Sequence, residues 1–285
     1  AAPGLPGLSS SSISWGDYDN DGDLDLLMTG SASTGNISQL WQNNNGIYTD
    51  VTATAAPGLP GVQAGSAAWA DYNNDGHLDF LLTGYTGAAN IGQLWQNNNG
   101  TFTNETAAAA SDLPGVLFSS VTWTDYDNDR DLDFLIAGQP GTVRISQLWR
   151  NNGTTANTPP SAPTGLASIH NAENTTTLTW STATDAETPA AALTYNLRKG
   201  TAPGRQDILS AQADLTTGHR FINTPGNAGQ GISFPIGKGL PPGTYYWSIQ
   251  AIDQAFAGGT WATEATFTIN AAPVLVVNTA LALNE

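Results

Sequence analysis

The chain of 285 residues has no cysteine and only 8 lysines and arginines. Without cysteine it can form neither disulfides nor thiolate metal sites, although secretion is not excluded, because a bound cation can cross-link a fold instead. The few basic residues form no patch and the formal net charge is −16, which excludes nucleic acid as an expected partner. No run of about 18 apolar residues occurs, so the sequence predicts no membrane span.

Residues typical of catalysis are also scarce, because the 3 histidines are scattered along the chain. His77 lies within an acidic segment, and we expect His170 and His219 on the surface. Clustered aspartates can act as acid and base pairs, but here they recur in three copies, which is typical of a structural element rather than of one active site. The sequence therefore predicts that the chain is not an enzyme.

The acidic segment begins at residues 15, 69 and 123, a constant spacing of 54 residues. The copies read WGDYDNDGDLDLLMTG, WADYNNDGHLDFLLTG and WTDYDNDRDLDFLIAG, and they contain loop one (17–25), loop two (71–79) and loop three (125–133). Acids stand at the first, third, fifth and ninth positions of loop one. Ca²⁺ takes about six to eight oxygen ligands, and a backbone carbonyl at the seventh position would complete such a set. Glycine at the sixth position, Gly22 and Gly76, permits the sharp turn.

A solvated turn is the alternative interpretation, because Asp, Asn and Gly are also ordinary turn formers. Three copies in register, with carboxylates that repel one another unless a cation lies among them, favour the metal site. Loop two has Asn73 in place of one acid, and loop three has Arg130 at the glycine position. A left-handed conformation costs a non-glycine residue on the order of 1 kcal/mol, so we expect metal least in loop three.

The repeat extends beyond the loops. AAPGLPG at 1–7 recurs at 55–61, and LWQNNNG at 40–46 recurs at 94–100. Each period contains four short apolar runs with no sustained helical period, which predicts four strands, the anatomy of a propeller blade. Three periods are fewer than the roughly four to eight blades of a closed propeller, and the third runs into a linker before its last strand. We therefore expect an open arc of three blades within a larger protein, able to associate with copies of itself.

These motifs resemble the FG-GAP (VCBS-type) repeat of calcium-bearing propellers, over residues 1–153. The resemblance implies a calcium cofactor and carries its ligands over to Asp17, Asp19, Asp21, Asp23 and Asp25, to Asp71, Asn73, Asp75, His77 and Asp79, and to Asp125, Asp127, Asp129, Asp131 and Asp133. The seventh-position residues would bind through the backbone oxygen, which is why histidine is admissible there. Arg130 departs from the family pattern.

A different β-domain is expected after a Thr- and Pro-rich linker at 154–163. Alternating apolar residues in strands over 164–270 predict a sandwich that resembles a fibronectin type III module, with Tyr245 as its tyrosine corner. Residues 271–285 are expected to begin a further domain or linker. The predicted fold class is therefore all-β: three four-stranded blades (1–54, 55–108 and 109–153) of a partial propeller, followed by an immunoglobulin-like sandwich.

Aromatic residues offer two interpretations. Six of the 9 tryptophans stand at repeated positions, which favours packing between blades over the stacking of sugars; they are Trp15, Trp41, Trp69, Trp95, Trp123 and Trp149. Trp180 and Trp247 are expected in the sandwich core, and Trp261 has no counterpart in the repeats.

Only 11% of the residues are charged and glycine and proline are abundant, which is typical of extracellular β-rich arrays. The sequence thus predicts a calcium-stabilised adhesion or scaffold segment of a larger secreted or cell-surface bacterial protein. Its ligand would be an extracellular protein or a glycan. The alternative is a non-catalytic accessory region of a secreted enzyme, such as one that degrades polysaccharides.

Overall fold

The computed structural model describes residues 4–170, 175–237 and 239–270, and its regular secondary structure is almost entirely β. The expected start of a further element at 271–285 lies outside the described residues. The first two repeats each form an antiparallel four-stranded sheet in chain order. The first sheet consists of β1 (Ser9–Gly16), β2 (Asp25–Ala32), β3 (Gly35–Asn44) and β4 (Ile47–Asp50). The second consists of β5 (Ala67–Ala70), β6 (Asp79–Tyr85), β7 (Asn90–Asn97) and β8 (Phe102–Asn104).

The third repeat differs from the four-stranded expectation. Its sheet has three strands, β9 (Leu117–Thr124), β10 (Asp133–Gln139) and β11 (Ile145–Trp149), with β10 in the centre. No fourth strand follows in this sheet, because the described chain continues through residues 150–163 without regular structure. The description of three four-stranded blades is therefore wrong for the third repeat, whereas the expectation that this repeat runs into the linker before its last strand agrees with the structure.

Short hairpin turns set the register within each sheet. Asn45 and Gly46 join β3 to β4 with φ of 53° and 86°, and Asn99 and Gly100 occupy the equivalent turn with φ of 53° and 88°. Two successive residues with positive φ are typical of a type I′ turn, whose twist matches that of the adjoining strands. The repeated NNNG motif thus encodes the last hairpin of each complete repeat.

Two single helical turns were not predicted from the sequence. They are α1 (Thr52–Ala55) and α2 (Thr106–Ala109), and each follows the last strand of its sheet. The hydroxyl of Thr52 accepts a hydrogen bond of 2.8 Å from the backbone N–H of Leu40, and Thr106 does the same with Leu94 at 2.9 Å. A four-residue helix is too short to show an amphipathic period, so the pattern could not reveal it.

The three sheets pack against one another in chain order. Trp69 Nε1 donates to the carbonyl of Ser14 at 3.2 Å, and Trp123 Nε1 donates to the carbonyl of Ala68 at 3.2 Å. Trp69 and Trp123 are 5% and 6% exposed, whereas Trp15, which has no described sheet in front of it, is 52% exposed. Packing between sheets is therefore observed for Trp69 and Trp123, whereas Trp15 is exposed, as expected for a terminal blade of an open arc.

A second β-structure follows, formed by two three-stranded antiparallel sheets. One sheet contains β12 (Thr164–His170), β13 (Thr176–Ser181) and β15 (Ser233–Ile236), and the other contains β14 (Thr194–Gly200), β16 (Gly243–Ile252) and β17 (Ala265–Ile269). We call this part the sandwich, because one apolar core includes Trp180 from the first sheet and Trp247 from the second, both buried as predicted. Tyr245 Oη donates to the carbonyl of Pro241 at 2.7 Å, which is the bond expected of a tyrosine corner.

Candidate metal loops

Loop one folds around the carboxylate of its first residue. The Oδ1 atom of Asp17 accepts a hydrogen bond of 3.1 Å from the backbone of Asp21, and Oδ2 accepts one of 3.1 Å from Gly22. These bonds close the loop so that carboxylate oxygens of Asp17, Asp19 and Asp21 all lie within 4.8 Å of one another. Gly22 has a φ of 95°, as the turn requires. The loop therefore gathers the acids of its first, third and fifth positions at one point, whereas Asp25, the ninth-position acid of the predicted set, is not in this group.

The ninth-position aspartate has a structural role that the sequence did not reveal. Asp25 is fully buried, and its two oxygens accept backbone hydrogen bonds from Tyr18 at 3.0 Å and Asn43 at 2.8 Å. Asp79 and Asp133 accept the equivalent pairs of bonds in loops two and three. This residue thus ties its loop to the third strand of the same sheet. In loop one it lies outside the group of three acids.

Burial without a basic partner disfavours the charged forms of two acids in loop one. Desolvation raises the pKa of Asp17 to about 7, against the lowering effect of the Gly22 hydrogen bond, and Asp19 raises it further. Desolvation also raises the pKa of Asp25 to about 8. Among the described residues no lysine or arginine forms an ion pair with this loop. Carboxylates held close together without a basic partner are a donor set that suits a hard cation.

Loop two repeats the backbone geometry with fewer acids. Asp71 accepts hydrogen bonds from the backbone of Asp75 at 3.1 Å and of Gly76 at 2.8 Å. Asn73 Nδ2 donates to Asp75 Oδ2 at 2.8 Å. Among the described residues, groups of three acids close enough to share an ion occur only in loops one and three, so an ion in loop two would depend on the amide oxygen of Asn73.

Loop three brings together Asp125, Asp127 and Asp133 within the same 4.8 Å limit. Arg130 takes up the left-handed conformation with a φ of 75°, so the residue that departs from the pattern is accommodated without a change of backbone. The side chain of Arg150 reaches into this loop: its Nε lies 2.7 Å from Asp127 Oδ2 and one terminal nitrogen lies 3.1 Å from Asp129 Oδ2. Loop three therefore already holds a basic partner, which the sequence reasoning missed.

Seventh-position side chains turn to partners away from the acid groups. Asp23 Oδ2 accepts from the backbone of Asn45 at 2.6 Å, and Asp131 Oδ1 accepts from Asn74 Nδ2 at 2.8 Å. His77 Nδ1 lies 3.0 Å from the amide nitrogen of Asn20. The fourth-position asparagines, Asn20 and Asn74, thus connect each loop to the next one along the chain, a role that only their 54-residue spacing could have suggested.

The sandwich contacts these loops directly. Gln230 Nε2 donates to Asp17 Oδ2 at 2.6 Å, and Gln254 Nε2 donates to the backbone carbonyl of Asp17 at 3.1 Å and to Asn20 Oδ1 at 2.6 Å. Gly76 lies so close to Glu187 that a Cβ atom would overlap its carbonyl oxygen. Residues from the second half of the chain therefore partly cover loops one and two. The expected linker does not hold the sandwich away from the repeats.

One buried acid lies near this contact. Asp253 is 4% exposed and accepts a hydrogen bond of 2.7 Å from Asn157 Nδ2. Burial raises its pKa to about 8, the Asn157 bond lowers it, and the carboxylates of Asp185 and Asp71 raise it. Burial lowers the pKa of Arg220 to about 10, against the raising effect of the Asp253 carboxylate. The environment thus favours the protonated carboxyl of Asp253 at neutral pH.

Comparison with known proteins supports the repeat. Residues 17–82 match the FG-GAP-like repeat family, which confirms the expected type of repeat over the segment with loops one and two. No curated protein matches the chain. A solved Fn3-like protein from Clostridium thermocellum is 21% identical, with a TM-score of 0.27, over 42% of this chain and 100% of its own. Domains A168–A170 of titin are 11% identical, with a TM-score of 0.30, over 94% of this chain and 96% of their own. Both scores are low and carry no functional inference.

None of the helices among the described residues is long and apolar enough to cross a membrane.

Proposed function

We propose that this chain is a calcium-stabilised binding or scaffold segment of a larger secreted or cell-surface protein. The group of Asp17, Asp19 and Asp21 carries this proposal, since their oxygens lie within 4.8 Å of one another without a basic partner among the described residues. Calcium would neutralise these carboxylates and stiffen the loop. In loop one the ion would be held by the side chains of these three residues and the backbone oxygen of Asp23.

The three sheets would serve as blades of an open propeller arc. Support comes from their packing in chain order and from apolar side chains that are exposed in the two outer sheets but buried at the equivalent position of the second sheet. Trp15 is 52% exposed in the first sheet against 5% for Trp69, and Leu148 is 50% exposed in the third sheet against 3% for Leu94. In a longer chain further blades would cover such faces, whereas the isolated chain would associate with copies of itself. The arc would present a surface for an extracellular protein or a glycan, and the sandwich would support it from one side.

Calorimetric titration of the chelator-stripped chain tests the calcium proposal. We expect calcium uptake with a dissociation constant of about 10⁻³ M or tighter, together with a rise in melting temperature. Asp21→Asn should remove one site. Asp23→Asn is the matched control and should keep it, because the backbone oxygen rather than the side chain would bind. Absence of heat and of any melting shift at millimolar calcium would contradict the proposal.

The binding role is tested separately on a glycan array probed with the calcium-loaded chain and with the chelated chain. Binding that requires calcium supports an adhesive surface. Equal signals in both states would show that the metal does not shape the binding surface.

A further inference from the structure

The residue that follows the tryptophan of the third strand is different in the third repeat. Gln42, Gln96 and Arg150 occupy the same position of the repeat, at a spacing of 54 residues. In loop one Gln42 Nε2 donates to Asp19 Oδ2 at 2.6 Å. In loop three the equivalent aspartate, Asp127, instead receives the guanidinium of Arg150. The two loops therefore share their backbone and their acids but differ in the charge that lies beside them.

The contact of Arg150 has the features of a cation site that is already filled. Its Nε lies 2.7 Å from Asp127 Oδ2, and a terminal nitrogen lies 3.1 Å from Asp129 Oδ2, so that one guanidinium joins the third and fifth positions. These are the side chains that would hold calcium by the family pattern. A guanidinium remains protonated at any pH at which the protein is folded, and it offers donors but no acceptor. It therefore competes with calcium for the same oxygens and repels the ion.

We propose that Arg150 takes the place of the metal in loop three, so that loops of the loop-one type bind calcium while loop three is held together by an internal cation. This inference rests on the proposed function of loop one. It makes the third repeat independent of calcium, although this loop also brings three acids, Asp125, Asp127 and Asp133, within 4.8 Å of one another. The residue at this position of each repeat thus decides whether the loop of that repeat responds to calcium.

Arg130 offers a competing explanation, because it replaces the glycine of the other two loops. The structure argues against it in two ways. Its φ of 75° is close to the 80° of Gly76, so the loop keeps its shape. It also forms no ion pair with any described residue, whereas Arg150 forms two.

The experiment exchanges the two side chains in the full chain and counts bound calcium by calorimetry. Arg150→Gln gives loop three the residue of loop one and should bind one calcium more than the wild type. Gln42→Arg gives loop one the residue of loop three and should bind one fewer. Arg130→Gly is the matched control, since it also removes one positive charge from loop three but leaves Arg150 in place, and it should leave the stoichiometry unchanged. Near-ultraviolet circular dichroism checks that each variant is folded.

Asp127→Asn locates the sites. It should leave calcium binding of the wild type unchanged and should abolish the additional site of Arg150→Gln. Loss of a site from the wild type on Asp127→Asn, no gain in Arg150→Gln, or a gain in Arg130→Gly would each overturn the role of Arg150 while leaving the calcium proposal for loop one intact. A wild type that takes up no calcium would instead overturn the proposed function.

Discussion

Replacement of Gly76 by alanine probes the contact between the sandwich and loop two. Gly76 has a φ of 80°, and a Cβ atom added to it would overlap the backbone carbonyl of Glu187. Gly22 is the equivalent residue of loop one, with a φ of 95°, but there the nearest atom to an added Cβ is the carbonyl oxygen of Ala191 at 3.6 Å, an ordinary van der Waals distance. Both substitutions therefore strain the backbone, but only Gly76→Ala also creates a steric overlap.

The expected magnitudes follow from these two terms. Alanine in the left-handed conformation costs about 1 kcal/mol at either position. Overpacking against the backbone of Glu187 adds about 1–3 kcal/mol for Gly76→Ala alone. The free energy of unfolding should therefore fall by about 2–4 kcal/mol for Gly76→Ala and by about 1 kcal/mol for Gly22→Ala. At about 2–4 °C per kcal/mol, the melting temperature should fall by roughly 4–16 °C and about 2–4 °C respectively.

Thermal and urea denaturation of both variants, each with saturating calcium and with chelator, provide the measurement. If the two halves of the chain unfold in separate transitions, the difference between the two variants should appear in the transition in which the contact of Gly76 with Glu187 is lost. Equal destabilisation by the two substitutions would show that Glu187 does not press on loop two in solution, and the reasoning from the close approach would be refuted.

Two further predictions concern buried groups. The pKa of Asp253 is raised to about 8 from 3.8 for the free side chain, so the folded state holds a proton that the unfolded chain releases. The resulting contribution to the free energy of unfolding is complete below pH 3.8 and is lost as the pH rises towards 8. The loss is at most about 1.4 kcal/mol per pH unit. Asp253→Asn, which cannot ionise, should flatten that part of a urea-denaturation profile measured against pH, and an unchanged slope would assign it to other acids. Trp69→Ala should lower the free energy of unfolding by about 3–5 kcal/mol, because its ring is buried between two sheets. Trp15→Ala should lower it by about 0.5 kcal/mol or less and should reduce self-association measured by sedimentation velocity. A similar loss of stability in both variants would contradict the exposed position of Trp15.

Several features of this protein are determined by sequence over short distances. The first-position acids of the loops, Gly22 and Gly76 at the turn, and the NNNG hairpins recur in register, and each acts on residues within a few positions of itself. Local conformational preference depends on near neighbours, so these patterns predicted the β-structure and the turns of the loops. They did not reveal which acids come together, namely the first, third and fifth in loop one but the first, third and ninth in loop three. The alternation of apolar residues likewise placed Trp180 and Trp247 in the sandwich core.

The partners of those loops were decided by the tertiary structure. Trp15 and Trp69 occupy the same position of the repeat, yet only Trp69 has a preceding sheet to bury it. Arg150 was visible in the sequence as a departure from glutamine, but its contact with loop three depends on the strand that returns beside that loop. Gln230 reaches Asp17 across 213 residues of chain. No local pattern encodes such pairs, because they depend on how whole sheets pack; packing therefore determines which carboxylates are covered, paired or free to hold a cation.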